Sequence, residues 1–482
     1  MKRYLTIIAA IFLSFSGYAQ RQDFAEEYIR FKEEAWGEFI RFRREANQEY
    51  AQFLKQAWKE MDALQAVPYP HHDPPVLPQY DPDDDIPGPY VPDDIPGPYV
   101  PDDIPDNVPP RPSIPDDNLQ ADDILSVDFF GQRCSIRIGS DERIMLAGIS
   151  GEDLSKAWTE LSDGRFDDTV LDCLRLRREL RLCDWGYYQL VLKTAYAYTG
   201  NADENLNTVI QGYILAQSGY KMRIARSDGK LYLLIPSDVQ IYGCYLAEMA
   251  DNLKYYFFDK TYTGGNFSVC DTPYPDERIF SMYIDEMPLL PETETVCISM
   301  QSARYPALEM WFCPNKNLTD FLSTYPCCPW DVYASAPLSN KAREIMYPVF
   351  KENISAGSEP EAAEMILNFV QTAFEYKTDD EQFGYEKPMF PDETLNYPYS
   401  DCEDRAILFA TLARDLLGLD VILMHYPNHI AAAVCFNSDV SGDSVMHKGR
   451  KYIVCDPTFI GAPVGVTMPG MNNAEAEIIE LK

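Results

Sequence analysis

Along residues 24–64 the apolar positions return every 11 residues. Phe24, Tyr28 and Phe31 are followed by Ala35, Phe39 and Phe42, then Ala46, Tyr50 and Phe53, then Ala57, Met61 and Leu64. Eleven residues over three turns is about 3.67 per turn, so the stripe stays on one face of a long, nearly straight helix. Trp36 and Trp58 flank it, and Lys, Arg and Glu fill the remainder. Such a face needs cover, so residues 20–66 are expected to dock on the chain's own globular part or on a second copy. The pattern then breaks: residues 67–118 hold 17 of the 36 prolines. A nine-residue unit repeats there as Asp84-Asp85-Ile86-Pro87, Asp93-Asp94-Ile95-Pro96 and Asp102-Asp103-Ile104-Pro105. Proline fixes φ and removes amide donors, so this stretch reads as a semi-rigid acidic spacer.

From residue 119 the patterning is that of a globular chain, divided into 119–345 and 346–482. In the first part Leu206, Val209, Ile210, Tyr213 and Ile214 have helical spacing and Gly219 stops the helix. Tyr220–Arg226 and Lys230–Ile235 then flank the hairpin turn Asp228-Gly229. Short strand-like runs over 266–312 suggest a β-rich insert. The second part opens with an amphipathic helix over Pro360–Tyr376. Further on, Ala406, Phe409, Ala413, Leu416 and Leu417 carry a helical stripe that ends at Gly418. Strands follow over Val421–Met424, Ile430–Phe436 and Arg450–Cys455, the first two joined by Tyr426-Pro427-Asn428. The fold class is α+β.

Charge narrows the partners. The chain carries 41 basic and 76 acidic residues, a net −35, and a field of that sign repels phosphate backbones and anionic lipid. Lys2 and Arg3 precede an uncharged stretch from Tyr4 to Gly17, with Ala19 at a small-residue cut. Residues 1–19 are thus expected to be a secretory signal peptide, and the product exported to the periplasm or outside the cell. No later stretch reads as an integral membrane segment. Disulfides are permitted in that compartment, but 12 cysteines in 482 residues do not reveal their connectivity. No cofactor or metal is expected: Asp83–Asp85 fit no EF-hand loop, and His71 and His72 lie in the spacer.

The densest chemistry is Tyr399-Ser400-Asp401-Cys402-Glu403-Asp404-Arg405-Ala406. Asp401 is an N-cap type with Asp404 three residues on, an acidic form of the capping box, which puts Cys402 at a helix start. Unpaired amides and the macrodipole there favour a thiolate, with Glu403 and Asp404 opposing unless they point away. Outside the spacer the histidines are His425, His429 and His447. His429 opens a strand, His425 closes one, and His447 sits in a polar loop. Asp456 follows the third strand. Cys, His and Asp on a helix start, a strand start and a strand end are the parts of a nucleophilic triad: the imidazole takes the thiol proton, and the carboxylate fixes its tautomer. Period-two alternation adds a test, since Cys435 and Cys455 must then face opposite sides of the sheet. The vicinal Cys327–Cys328 pair is assigned no chemistry.

Ser400–Ala406, the helix end Leu417-Gly418-Leu419, Asn428-His429-Ile430 and Tyr452–Thr458 together resemble the bacterial transglutaminase-like superfamily, over residues 346–482. The resemblance implies a papain-like α+β core with a helix start packed on an antiparallel sheet, Cys402 as nucleophile, His429 as base and Asp456 as orienting residue. It implies a cysteine peptidase or amide hydrolase acting on a peptide or protein substrate. Acyl transfer to an amine and a non-catalytic scaffold on the same fold are the alternatives. Animal-type members often need Ca²⁺ and use a tryptophan at the oxyanion, and no tryptophan follows Trp330. Asn396, six residues before the cysteine, and the adjacent Tyr397 are the oxyanion candidates. In the loop Lys377–Tyr399, Phe383, Tyr385, Phe390 and Tyr397 are candidate cleft walls. Thr194–Tyr198 also echoes Thr372–Tyr376, and aligning Gly219 with Gly418 sets Asp203 against Cys402 and Lys230 against His429. Residues 119–345 are therefore expected to hold a degenerate copy of the catalytic unit.

Overall fold

The structure is a computed structural model that describes residues 41–56, 58–70, 80, 123–139, 143–200, 202–293, 295–355 and 357–482. The expected signal peptide, the first half of the arm and most of the spacer, with His71, His72 and Asp83–Asp85, lie outside the described residues.

In chain order the elements begin with α1 (41–54), β1 (Lys59–Asp62), β2 (Asp123–Phe129), β3 (Gln132–Ile138), α2 (Gly151–Leu161) and α3 (Asp167–Glu179). Next come α4 (Asp184–Thr199), α5 (Glu204–Gln217), β4 (Arg223–Ser227), β5 (Lys230–Pro236), β6 (Leu246–Glu248), β7 (Lys254–Phe257) and β8 (Asn266–Cys270). A middle stretch holds β9 (Ile298–Gln301), β10 (Glu309–Phe312), α6 (Lys316–Leu322), α7 (Trp330–Ser335) and α8 (Asn340–Ile354). The last part contains α9 (Glu359–Thr372), β11 (Glu375–Tyr376), α10 (Asp379–Gln382), α11 (Pro391–Thr394), β12 (Tyr399–Ser400) and α12 (Cys402–Leu417). The chain closes with β13 (Asp420–Tyr426), β14 (His429–Cys435), β15 (Ser444–His447), β16 (Arg450–Cys455) and β17 (Glu477–Glu480). The architecture is mixed α+β.

The arm is shorter than its 11-residue period implies. α1 buries Ala46, Tyr50 and Leu54 against the globular part. Asn47 accepts from the Trp158 indole at 3.0 Å, and Arg43 Nε donates to Gln217 at 2.8 Å, so the described part of the arm docks within its own chain. The helix stops at residue 54, where the Trp58 indole donates to the Leu54 carbonyl at 3.0 Å. Residues 59–62 then pair antiparallel with β8, Met61 opposite Phe267. Met61 therefore belongs to a strand and not to the helical stripe. The open edge of β8 supplies a full set of backbone partners, and that outweighs a helical periodicity with no covering surface.

Two sheets organise the rest. One has the order β1-β8-β4-β5-β7-β6 and the other β15-β16-β14-β13-β17, all pairs antiparallel. β8 belongs to the first sheet, so the expected β-rich insert over 266–312 reduces to the hairpin β9–β10, tied at its open end by the Cys297–Cys313 disulfide. The boundary placed at 345/346 falls inside α8, and α9 ends at Thr372 because Glu375 and Tyr376 pair with β12 instead. His447 lies in β15 and pairs with Arg450, not in a loop.

Alternation along β14 decides what lies over each face of the second sheet. Ile430, Ala432 and Val434 join the main core with Ala406, Phe409 and Ala413 of α12, while Ala431, Ala433 and Cys435 face a separate cluster with Tyr452 and Val454. Cys455 lies in the first cluster and Cys435 in the second, so the two thiols stand on opposite faces, as the strand pattern requires. Gly418 ends α12 at φ 66°, a conformation that costs glycine little.

Candidate active site

The start of α12 is fixed from below by one buried cation. Arg405, 1% exposed, donates to Ser400 Oγ at 3.1 Å, the Gln371 carbonyl at 3.2 Å and the Phe374 carbonyl at 2.8 Å. Cys402 is the first residue of that helix and is buried. Asp401 occupies the N-cap position without a side-chain cap bond, and Asp404 instead accepts from the Met389 amide at 2.9 Å. The acidic capping box read from the sequence is only half formed: Asp404 accepts from the Asp401 backbone amide, but the Asp401 side chain caps no helix amide.

β14 and β16 bring the other two predicted residues together. His429 Nε2 lies 2.8 Å from Asp456 Oδ2, with both side chains buried. The other Asp456 oxygen accepts from the Thr458 amide at 2.9 Å and the Phe459 amide at 3.1 Å. Tyr426 stacks on the His429 ring, centroids 5.9 Å apart and planes 14° from parallel, and its hydroxyl donates to Asn473 at 2.8 Å. These contacts hold the imidazole with Nε2 toward the carboxylate. Nδ1 is buried and without a hydrogen-bond partner.

Sequence reasoning missed Gln371. Its Nε2 donates to the carbonyls of Asp456, Phe459 and Ala462, each at 3.0 Å, and its Oε1 accepts from the Gly461 amide at 3.2 Å. One buried amide on α9 thus ties down the whole turn that carries Asp456. Nothing in its own segment signals this, since Gln371 reads there as an ordinary polar residue near a helix end. Gln371→Leu strands three buried carbonyls and is expected to destabilise the chain by about 2–4 kcal/mol in urea unfolding.

The thiol environment differs from the expectation. Cys402 Sγ donates to Glu403 Oε2 at 3.1 Å and receives the Ile430 amide. Burial, then the Glu403 and Asp401 carboxylates, push the thiol well above its ordinary range, and the Ile430 amide only partly opposes them. A helix start alone would lower it; here desolvation and like charge win. Asp379, on the preceding loop, joins Asp401 and Glu403 with carboxylate oxygens within 4.8 Å of one another. Burial and mutual repulsion raise Asp379 to about 10, Glu403 to about 8 and Asp404 to about 6, and hold Asp401 far above its usual value. Oxygens of Asp401, Glu403 and Asp404 have no hydrogen-bond donor. An all-oxygen buried set of this kind fits a hard divalent cation such as Ca²⁺. The backbone of Val67 is held by the Gly243 amide at 2.8 Å, and Tyr69 packs on Tyr242 and Trp330. The start of the spacer is thus docked on the protein.

The two oxyanion candidates lie in the segment between α11 and β12. Tyr397 packs on Phe383 and lies under the Lys387 ammonium, and the Asn396 amide is bound to the Glu393 carbonyl. The donor at the Cys402 sulfur is the Ile430 amide. Of the proposed cleft walls, Phe390 is core, wedged between Tyr325 and Tyr333, whereas Tyr385 is exposed. His425 and His447 pair with Glu477 and Glu480. No helix among the described residues is long and apolar enough to cross a membrane. No family model, curated protein or solved structure matches the chain.

Proposed function

We propose that the chain is an exported, transglutaminase-like thiol hydrolase that cleaves peptide or amide bonds through an acyl-enzyme on Cys402. The observation that carries this reading is the buried 2.8 Å contact between His429 and Asp456, which leaves Nδ1 of the same ring unpartnered on the residue that precedes Ile430, whose backbone amide binds the Cys402 sulfur. In the reaction His429 Nδ1 takes the thiol proton as sulfur attacks the carbonyl carbon. The C–N bond then breaks, and the imidazolium returns the proton to the departing amine. Water, deprotonated by the same nitrogen, hydrolyses the thioester and regenerates the thiol. Asp456 steadies the imidazolium in both halves. A raised thiol makes this a general-base route in which deprotonation accompanies attack, not one that starts from a stored ion pair. A Ca²⁺ ion held by Asp379, Asp401 and Glu403 would cancel the negative field that opposes the thiolate.

The test is alkylation of each cysteine by iodoacetamide, followed by peptide mass mapping across pH, in the wild type and His429→Ala. Cys402 is expected to react selectively, and to lose that selectivity without His429. Equal reactivity in both proteins would overturn the catalytic reading and favour the scaffold. Products formed with and without an added primary amine separate hydrolysis from acyl transfer.

A further inference from the structure

The two sheets share more than a class. Without β1, the first runs β8-β4-β5-β7-β6 and the second β17-β13-β14-β16-β15, with the strands in the same chain order in each. Sliding Lys230 onto His429 carries the pair Ser227↔Lys230 onto Tyr426↔His429, and Arg223↔Leu234 onto Ile422↔Ala433. Matched through its pairing with β5, β7 falls on β16 with an offset two residues shorter: Leu234↔Phe257 corresponds to Ala433↔Val454, so Asp259 falls on Asp456, each two residues beyond its paired position. In both units a helix precedes the hairpin and is closed by a glycine of positive φ, Gly219 or Gly418.

At the positions of the triad the first unit carries different chemistry. Lys230 Nζ lies 3.1 Å from Asp259 and 3.0 Å from Glu204, reproducing the His429–Asp456 contact with an ammonium. Asp203, opposite Cys402, has its carboxylate engaged by the Leu206 amide at 2.9 Å. At these matched positions there is neither a thiol nor a neutral base, so the acyl transfer proposed for the second unit is closed to them. Yet a cavity of about 340 Å³ opens over these residues, within the range of small-ligand pockets. Asn207 and Gln211, one turn apart on α5, line it and are 3% and 5% exposed. Asn207 Nδ2 and Gln211 Nε2 have no hydrogen-bond acceptor, although the Tyr188 hydroxyl stands beside Gln211. The corresponding residues of the catalytic unit are Ala406 and Ala410, which offer no donor. Trp185, Tyr188 and Phe258 supply the apolar wall.

We propose that the first unit is a non-catalytic copy of the second whose cleft, where Asn207 and Gln211 face Lys230 and Asp259, binds a peptide through its backbone carbonyls. Buried amide nitrogens without acceptors call for carbonyl oxygens. The lining carboxylates of Glu204 and Asp259 are balanced by the ammonium groups of Lys230 and Lys260, which favours a ligand without net charge, and the aromatic wall receives a side chain. The choice of a peptide rests on the proposed function of the catalytic unit; the existence of the site does not.

Binding is tested on the full chain carrying Cys402→Ala, by calorimetric titration with N-acetylated, C-amidated Gly-Phe-Gly, Gly-Leu-Gly and Gly-Ala-Gly. At least one is expected to saturate a single site, and to bind tenfold or more weakly in both Gln211→Met and Asn207→Leu. Gln211→Met should melt at or above its parent, since it deletes an unpaired buried amide, so weakened binding there is not misfolding. The absence of saturable binding, binding unchanged in both variants, or binding of maltose or N,N′-diacetylchitobiose in place of the peptides would each overturn the inference. Saturable binding alongside a wild-type chain with an unreactive Cys402 would count against the hydrolase alone.

Discussion

Cys402→Ala is expected to abolish peptide-bond hydrolysis, and His429→Ala to reduce kcat by about 10⁴-fold or more. The two losses should not add, because each variant removes the same proton transfer: without the ring the buried thiol has no acceptor but Glu403, and without sulfur the ring has nothing to deprotonate. Asp456→Asn is the more discriminating variant. The Asn side chain still accepts from the Thr458 and Phe459 amides, so the turn held by Gln371 keeps its shape. What changes is the group facing Nε2: an amide that presents its nitrogen there turns the imidazole to the tautomer that protonates Nδ1, the wrong nitrogen for a base. The expected result is a loss of about 10⁴-fold in kcat with little change in thermal midpoint. Circular dichroism melting beside single-turnover kinetics separates the two effects. Wild-type-like kcat in Asp456→Asn would remove Asp456 from the mechanism.

How much of this was legible in the sequence depends on how local each determinant is. The hairpin β13–β14, the strand Arg450–Cys455 and the helix opened by Cys402 and closed by Gly418 follow from periodicity and one left-handed glycine, and the structure has them within two residues. The opposite orientation of Cys435 and Cys455 followed from alternation alone. The failures lie where distant segments decide. The period that continues through Met61 and Leu64 is helical in isolation but yields to the edge of β8, some two hundred residues away. Gln371 gains its role only because α9 passes under the turn after Asp456. The dipole argument for an acidic thiol was sound for an exposed helix start, but it could not include the burial of Cys402, which packing of distant segments decides and which is the largest of the opposing effects.

The carboxylate cluster of Asp379, Asp401 and Glu403 gives the second large effect. With Asp379 raised to about 10 and Glu403 to about 8, the folded chain holds protons that the unfolded chain releases near pH 4. The native state thus binds more protons between about pH 4 and those values, so the contribution of these groups to stability is complete on the acid side and is lost as pH rises through 8 to 10. Urea midpoints in chelator are therefore expected to fall from pH 6 to pH 9, and Asp379→Asn, which keeps the shape and removes one charge, should flatten that fall. Calcium at pH 9 should restore the midpoint, by about 2.7 kcal/mol at a hundredfold excess over its Kd, and should do so less in Asp379→Asn. A midpoint indifferent to calcium would make protons the neutralising species. The same experiment reaches the chemistry, because Glu403 and Asp401 hold the Cys402 proton in place. Glu403→Gln removes the nearer charge, so alkylation of Cys402 should accelerate at neutral pH while His429 and Asp456 remain as they are. If it does not, burial alone sets the thiol, and Cys402 must be uncovered by substrate before it can react.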